Sequence, residues 1–379
     1  MGLISNGTTI FDNGSMASGF GGNLNFISKA TASASASIEF TSGIDSTYKE
    51  YVFYFVNMHP QNNAPYFEFQ VDTGTNTNYN QTITSTQFQE YHTESGSYTG
   101  LGYSAGDDQA QGTNFQRLQQ FVSNDNDNST SGFLHLFNPS SSVFVKHFFG
   151  RLYTQQSSGG EVYANSMFPA GYINTTTPLT RVKFRFSSGN IDAGVPTGSL
   201  ILLSTQTASA SASIEFTSGI DSTYDVYVFK LINIHPSTNS NFTFNLSTDG
   251  GSNYNVTKTS TNFGAYHTEG DNDNILAYDT NQDLAQSTAY QNLTMGGAAG
   301  ANQADRSFSG TLILFNPSNT TFVKHFISNS NFVDNSSVAY TVNAYVAGYG
   351  NTTSAINAID FKYASGNIDD GIIKMYGVK

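Results

Sequence analysis

The sequence predicts an all-β protein: two tandem, homologous antiparallel β-sandwich domains of jelly-roll-like type, preceded by an extended N-terminal arm. Three observations carry this. The string TASASASIEFTSGIDSTY occurs twice, letter for letter, at Thr31–Tyr48 and again 176 residues later at Thr207–Tyr224. Apolar residues recur at every second position over short runs, the period of a half-buried strand. Between those runs lie clusters of Gly, Asn, Asp and Ser, the residues that turns require.

The chain has 379 residues, enough for two or three ordinary domains with real cores. The N-terminal segment, residues 1–28, contains Ile10, Phe11, Phe20 and Phe26 spaced through Gly- and Asn-rich chain. Such isolated apolar groups cannot bury one another, so the segment reads as an attachment arm that becomes ordered when a partner covers it. The first module spans residues 29–205 and the second 206–379. Further pairs keep the same order in both: Asn57-Met58-His59-Pro60 with Asn233-Ile234-His235-Pro236, Tyr91-His92-Thr93-Glu94 with Tyr266-His267-Thr268-Glu269, and Leu136-Phe137-Asn138-Pro139 with Leu314-Phe315-Asn316-Pro317. Phe144–Phe148 matches Phe322–Phe326, and Ser188–Asp192 matches Ser365–Asp369. A period of this length is far above the ~20–50 residues of solenoid and propeller units, so each copy is a complete domain.

Within the first copy, Ala32 to Phe40 alternates small or apolar with polar residues and predicts one half-buried strand. Tyr51 to Val56 is apolar throughout, as expected of a strand inside a sheet that is covered on both faces. Phe67, Phe69 and Val71, and Val182, Phe184 and Phe186, alternate with polar residues. Phe242, Phe244 and Leu246, and Ile359, Phe361 and Tyr363, repeat these patterns. A helical stripe through Phe115, Leu118 and Val122 is short and uncapped, so no helix is expected there.

Composition narrows function. With 28 acidic and 15 basic residues the formal charge is −13, which supplies no source for the phosphate-neutralising term of nucleic-acid binding. The absence of cysteine removes thiolate nucleophiles, disulfides, thiolate zinc sites and iron–sulfur clusters. The opening residues have no apolar stretch of the secretory kind, and the longest aliphatic run, Leu200–Leu203, is too short to span a bilayer. A polar surface made from Asn, Ser, Thr and Gly, without membrane insertion, is the expectation.

Chemistry-bearing groups are few. His92 with Glu94, and His267 with Glu269, stand two apart on strands and so share a face, where each pair could offer two ligands to a metal; no third ligand is assignable, and surface hydrogen bonding accounts for them equally. His59 and His235 precede prolines at strand ends, which suits loop ordering. His135 corresponds to Ile313, which excludes a duty shared by both copies. Asp72 to Asn76, Asp249 to Asn253 and Asp271 to Asn274 resemble oxygen-rich calcium loops but miss the EF-hand spacing, and Asx turns explain them. Glu39, Glu94 and Asp192 could supply paired carboxylates for sugar hydrolysis only if the fold brought two of them together. The expectation is a non-enzymatic protein with no cofactor, no metal and no catalytic residues. Its 22 Tyr raise a binding alternative, since aromatic faces stack on sugar rings, although core and interface packing use the same residues.

The opening MGLISNGTTIFDNGSMASGFGG, the module start TASASASIEF and the ending Ser365-Gly366-Asn367-Ile368-Asp369 with Gly371 to Val378 resemble β-rich structural proteins of tailed bacteriophages. The resemblance touches the start and both modules and implies a virion component, made in the host cytoplasm: a tail fibre, a tail appendage or a head decoration protein. It also implies other virion proteins as partners and a symmetric homo-oligomer, a trimer first. The alternative on the same particle is a carbohydrate- or receptor-binding module for a host surface glycan, and behind it a glycan depolymerase.

Overall fold

The computed structural model describes residues 25–158, 161–197, 200–268, 270, 273–296, 306–334 and 340–378, with the backbone of 3–5, 8–12 and 15–16. Short strands β1 (Leu3–Ser5), β2 (Thr8–Asp12) and β3 (Ser15–Met16) pair antiparallel as a small sheet of their own.

The first sandwich contains β4 (Ala32–Ser35), β5 (Ile38–Phe40), β6 (Glu50–Pro60), β7 (Phe67–Thr73), β8 (Ile83–Thr93), β9 (Thr99–Tyr103), β10 (Gln116–Gln119), β11 (Thr130–Phe137), β12 (Lys146–Ser158), β13 (Glu161–Ile173), β14 (Leu179–Phe186) and β15 (Ile191–Thr197). A four-stranded sheet, β10-β7-β14-β5, covers part of an eight-stranded one, β4-β15-β6-β11-β12-β13-β8-β9. Strands β5 to β11 and β14 are distributed between the two sheets in jelly-roll order, with the β12–β13 hairpin inserted between β11 and β8 and with β4 and β15 added beside β6.

The second sandwich repeats this strand for strand: β16 (Leu200–Ser211), β17 (Ile214–Phe216), β18 (Val226–Pro236), β19 (Phe242–Ser247), β20 (Lys258–Thr268), β21 (Asn274–Tyr278), β22 (Gln291–Asn292), β23 (Phe308–Phe315), β24 (Lys324–Val333), β25 (Tyr340–Gly350), β26 (Ala358–Tyr363) and β27 (Ile368–Val378). Its sheets run β16-β27-β18-β23-β24-β25-β20-β21 and β17-β26-β19-β22, the same connectivity. Pairing of Leu200 with Val378 carries this sandwich back to Leu200, ahead of the boundary the repeat suggests.

Each core is built on one phenylalanine from the small sheet. Phe184 lies 4.9–6.4 Å, ring centre to ring centre, from Phe40, Phe53, Phe55, Phe67 and Phe69. Its equivalent Phe361 is ringed by Phe216, Phe229, Phe242 and Phe244 at 5.4–6.4 Å. Edge-to-face and offset geometries of this kind add to the area these rings bury.

One sequence expectation changes. Ala32–Phe40 is not one half-buried strand: Ala32 and Ile38 are buried, Ala34 and Ala36 are exposed, and the chain crosses from the large sheet (β4) to the small one (β5). The crossing turns at Ala34, φ 50°, and again at Ala210, φ 49°. Small side chains bury little on either face, so alternation here had no core to report. Within Asn114–Val122, where no helix is expected, strand β10 forms; its Leu118 is buried in the core while the Gln116 amide bonds across to Ser85 and Gln87 of β8.

The reading of Tyr51–Val56 holds, with an unforeseen cause. Tyr51, Phe53 and Phe55 enter the core of their own sandwich, and Tyr54 and Val56 enter a third cluster shared with Val226, Val228, Phe315 and Tyr349 of the other. The outer faces of the two large sheets thus pack on each other, and the molecule is four layers thick. Equivalent strands meet running opposite ways: Phe88 contacts its own equivalent Phe263 (6.0 Å), while His92, near the end of β8, meets Ser260, near the start of β20.

Candidate functional site

The two large sheets do not close on each other along their whole length. At one end Tyr153 is fully buried against the rings of His325 (5.2 Å) and Tyr349 (6.2 Å), Val323 N–H donates to the Asp127 carbonyl, and Phe322 lies on the ring of His59. Toward the other end the sheets part into a cleft of about 510 Å³. Equivalent positions of both sandwiches line it: Phe133 and Thr311, His135 and Ile313, Phe149 and Ile327, Arg151 and Asn329, Phe168 and Tyr345, Tyr54 and Lys230. The first sandwich supplies most of the rings.

The charged groups of the cleft have protein partners. Arg151, buried, donates to Glu90 Oε1 (3.2 Å), to Ser166 Oγ (3.3 Å) and across the junction to the Ser328 carbonyl (2.7 Å), with its guanidinium over the Phe168 ring at 4.8 Å. Burial pushes the Glu90 carboxyl up to about 7, against the pull of Arg151 and the Thr261 and Ser166 hydroxyls. His135 Nδ1 lies 2.5 Å from Glu50 Oε1 and its ring stacks on Phe149 (4.7 Å). Lys230 donates to Thr311 Oγ1 (3.0 Å). An aromatic recess of this kind can hold an apolar group; it does not align a nucleophile with a base.

His92 and Glu94 do not share a site. His92 is buried in the junction, its Nδ1 3.0 Å from the Ser260 carbonyl and 3.5 Å from Asp283. Glu94 stands beyond the end of β8, where its Oε1 accepts from Gln155 Nε2 at 3.2 Å and burial raises its pKa. Register breaks the i, i+2 argument, because the strand ends at Thr93. His267 is exposed, and Glu269 and Asp271 lie outside the described residues. His59 meets the Asp125 carbonyl (3.2 Å), in keeping with loop ordering, and His235 sits near the end of β18 opposite Asp370.

Asp72 accepts from Thr73 N, Tyr79 N and Gln81 Nε2. Asp249 accepts from Ser247 Oγ and from both nitrogens of Asn253, which hold its carboxyl down at about 2. Both are turn-building carboxylates whose oxygens are occupied by donors. Glu39, in the small sheet, is held by Lys183 (2.9 Å) and Tyr79 (2.9 Å). Asp192 lies in β15, five strands across the large sheet from β8 and hence about 24 Å from Glu94 at ~4.8 Å per strand, so the three carboxylates do not converge. Among the described residues no group of three or more His, Asp or Glu is placed to hold a metal ion.

The Phe-Val-Lys-His-Phe repeat acquires a structural meaning. Lys146 and Lys324 are fully buried, and each amine caps loop carbonyls: Ser141, Phe144 and Thr175 in one sandwich, Phe322 and Thr352 in the other. Sequence reasoning missed Arg151, Glu90, Tyr153, Phe149 and Phe168. The signal available was that Arg151, Tyr153 and His135 all differ from their equivalents Asn329, Asn331 and Ile313, and all lie on the outward-facing set of β11 and β12.

No family model matches the chain, and no curated protein matches it. Among solved structures, that of intact Ap-TbpB (N and C lobes) aligns over 90% of this chain and 100% of its own at 7% identity and a TM-score of 0.12, too low to bear on fold or function.

Proposed function

We propose that this chain is a non-catalytic structural protein of the tailed-bacteriophage type, a rigid double jelly roll that its N-terminal arm anchors to other particle proteins and that assembles as a symmetric oligomer. One observation carries the assembly reading. Phe322 of the second sandwich is covered by His59 of the first, whereas the equivalent Phe144, beside Val143, lies 67% exposed. The surface that joins the two sandwiches is therefore presented a second time, uncovered, and a neighbouring copy in the particle is its occupant. Aromatic groups are enriched at the buried centres of such contacts and charges are depleted there.

The test is incorporation. Purified particles should contain the chain in symmetric copy number. Phe144→Asp, at an exposed position, should leave the unfolding midpoint unchanged within about 0.5 kcal/mol while reducing incorporation. Absence of the chain from particles, or normal assembly by the variant, would overturn the reading.

A further inference from the structure

We propose that the first sandwich, and not the second, carries a binding site for a single neutral sugar ring, on the core-facing side of its large sheet where the small sheet stops at β10. A cavity of about 260 Å³ opens there, lined by Gln89, Tyr91, Tyr98, Gln120, Gln156, Tyr163 and Asn165. That is below the roughly 300–1,000 Å³ of drug-sized pockets, and it suits one ring.

The lining is three phenols and four amides, with no carboxylate, amine or guanidinium, so the complementary ligand is uncharged and rich in hydroxyls. A planar amide offers a donor and an acceptor side by side, as vicinal hydroxyls do. The amides are also preorganised. Gln89 Oε1 accepts from Gln120 Nε2 and from Asn165 Nδ2 (3.1 Å), and Asn165 Oδ1 accepts from Gln119 Nε2 (2.8 Å). This network fixes the floor and leaves the Gln89 amide nitrogen and the Gln120 carbonyl oxygen without a protein partner among the described residues. Tyr91 is held edge-to-face against Tyr163 at 6.0 Å, with its ring over Gly100, where a Cβ would come within 2.5 Å of it. Tyr98, 59% exposed, stands at the rim with its ring available for stacking.

The second sandwich is the internal control. It keeps the tyrosine pair, as Tyr266 and Tyr340 at 5.0 Å. The floor positions Gln89, Gln120 and Asn165 become Gly264, Met295 and Val342, and Met295 and Val342 are buried members of the main core. Met295 occupies the space over Gly264, where a Cβ would meet its sulfur at 2.7 Å. Tyr98 becomes Asp273. One fold thus places a filled apolar floor in one copy and an open polar one in the other.

The test is saturation-transfer NMR of the full chain with methyl glycosides of glucose, galactose, mannose and N-acetylglucosamine at about 10 mM. At least one should give signal, with a dissociation constant in the millimolar range expected of so few ligand atoms. Tyr98→Ala should weaken it at least fivefold. Gln120→Met with Asn165→Val, which copies the second sandwich, should abolish it while the melting temperature stays at or above that of the parent chain. Absence of signal from all four sugars overturns the proposal, as does signal that survives both variants. Should the double variant fail to fold, Tyr98→Ala decides, because its side chain lies at the surface.

Discussion

At the closed end of the junction Tyr153 is sealed between His325 and Tyr349. At the open end the same three positions hold Asn331, His147 and Tyr172, and Asn331 and His147 face solvent. Strand order is the same in both sandwiches, and at these three positions the difference lies in side chains on the outward face. A duplicated domain presents two copies of every surface; a few aromatic-for-polar differences determine which copy joins and which stays exposed.

Removing the seal should separate the two ends in energy. Tyr153→Ala should cost about 3–5 kcal/mol in urea unfolding, the range for truncating a fully buried ring. Asn331→Ala, at the equivalent position, forfeits two hydrogen bonds of an exposed amide and should cost no more than about 1 kcal/mol. Equal costs would mean that the junction contributes nothing to stability.

A second contrast lies in the cores. Ile83 of the first sandwich corresponds to Lys258 of the second, a fully buried amine that donates to Asn245 Oδ1 and the Val256 carbonyl. Burial pulls its pKa down to about 7, against 10.5 in the unfolded chain. Between those values the unfolded state holds the extra proton, so stability should rise with pH from about 7 to 10, by up to one proton's worth, about 1.4 kcal/mol per unit. Lys258→Ile should remove its share of that rise and leave the share of Lys324, whose amine burial holds down at about 8. Chemical-denaturation midpoints measured across the window for both proteins check it; a parent chain already flat there sinks the prediction.

A smaller change is predicted at His325. It is fully buried, neither ring nitrogen has a hydrogen-bond partner among the described residues, and burial together with the neighbouring Lys324 lowers its pKa to about 3, so the ring is neutral at pH 7. Phenylalanine keeps the contact with Tyr153 and removes two unsatisfied polar atoms, so His325→Phe should stabilise the chain by about 1 kcal/mol. His147→Phe, at the exposed equivalent, should move the midpoint by less than about 0.5 kcal/mol. Reversal of that order would show that the two ends are energetically alike.

The sequence by itself determined the fold class, the duplication and the strands that build each core, because those depend on local periodicity and turn chemistry repeated in both copies: Phe67-Phe69-Val71 and Val182-Phe184-Phe186 lie where their alternation put them. It also showed Tyr51–Val56 to be covered on both faces. What covers the second face was decided only by the tertiary structure, since the partner residues Val226, Val228, Phe315 and Tyr349 lie far along the chain and carry no local signal of pairing. The same holds for the Ala32–Phe40 corner, where small side chains alternate without a core behind them, and for His92 and Glu94, which are two residues apart but separated by a strand end. The cleft around Arg151 and the amide floor of Gln89, Gln120 and Asn165 exist because sheets from distant segments stop, splay or overlap at particular places. Strand pattern records which way each residue faces; which other surface it faces is fixed by how the layers stack.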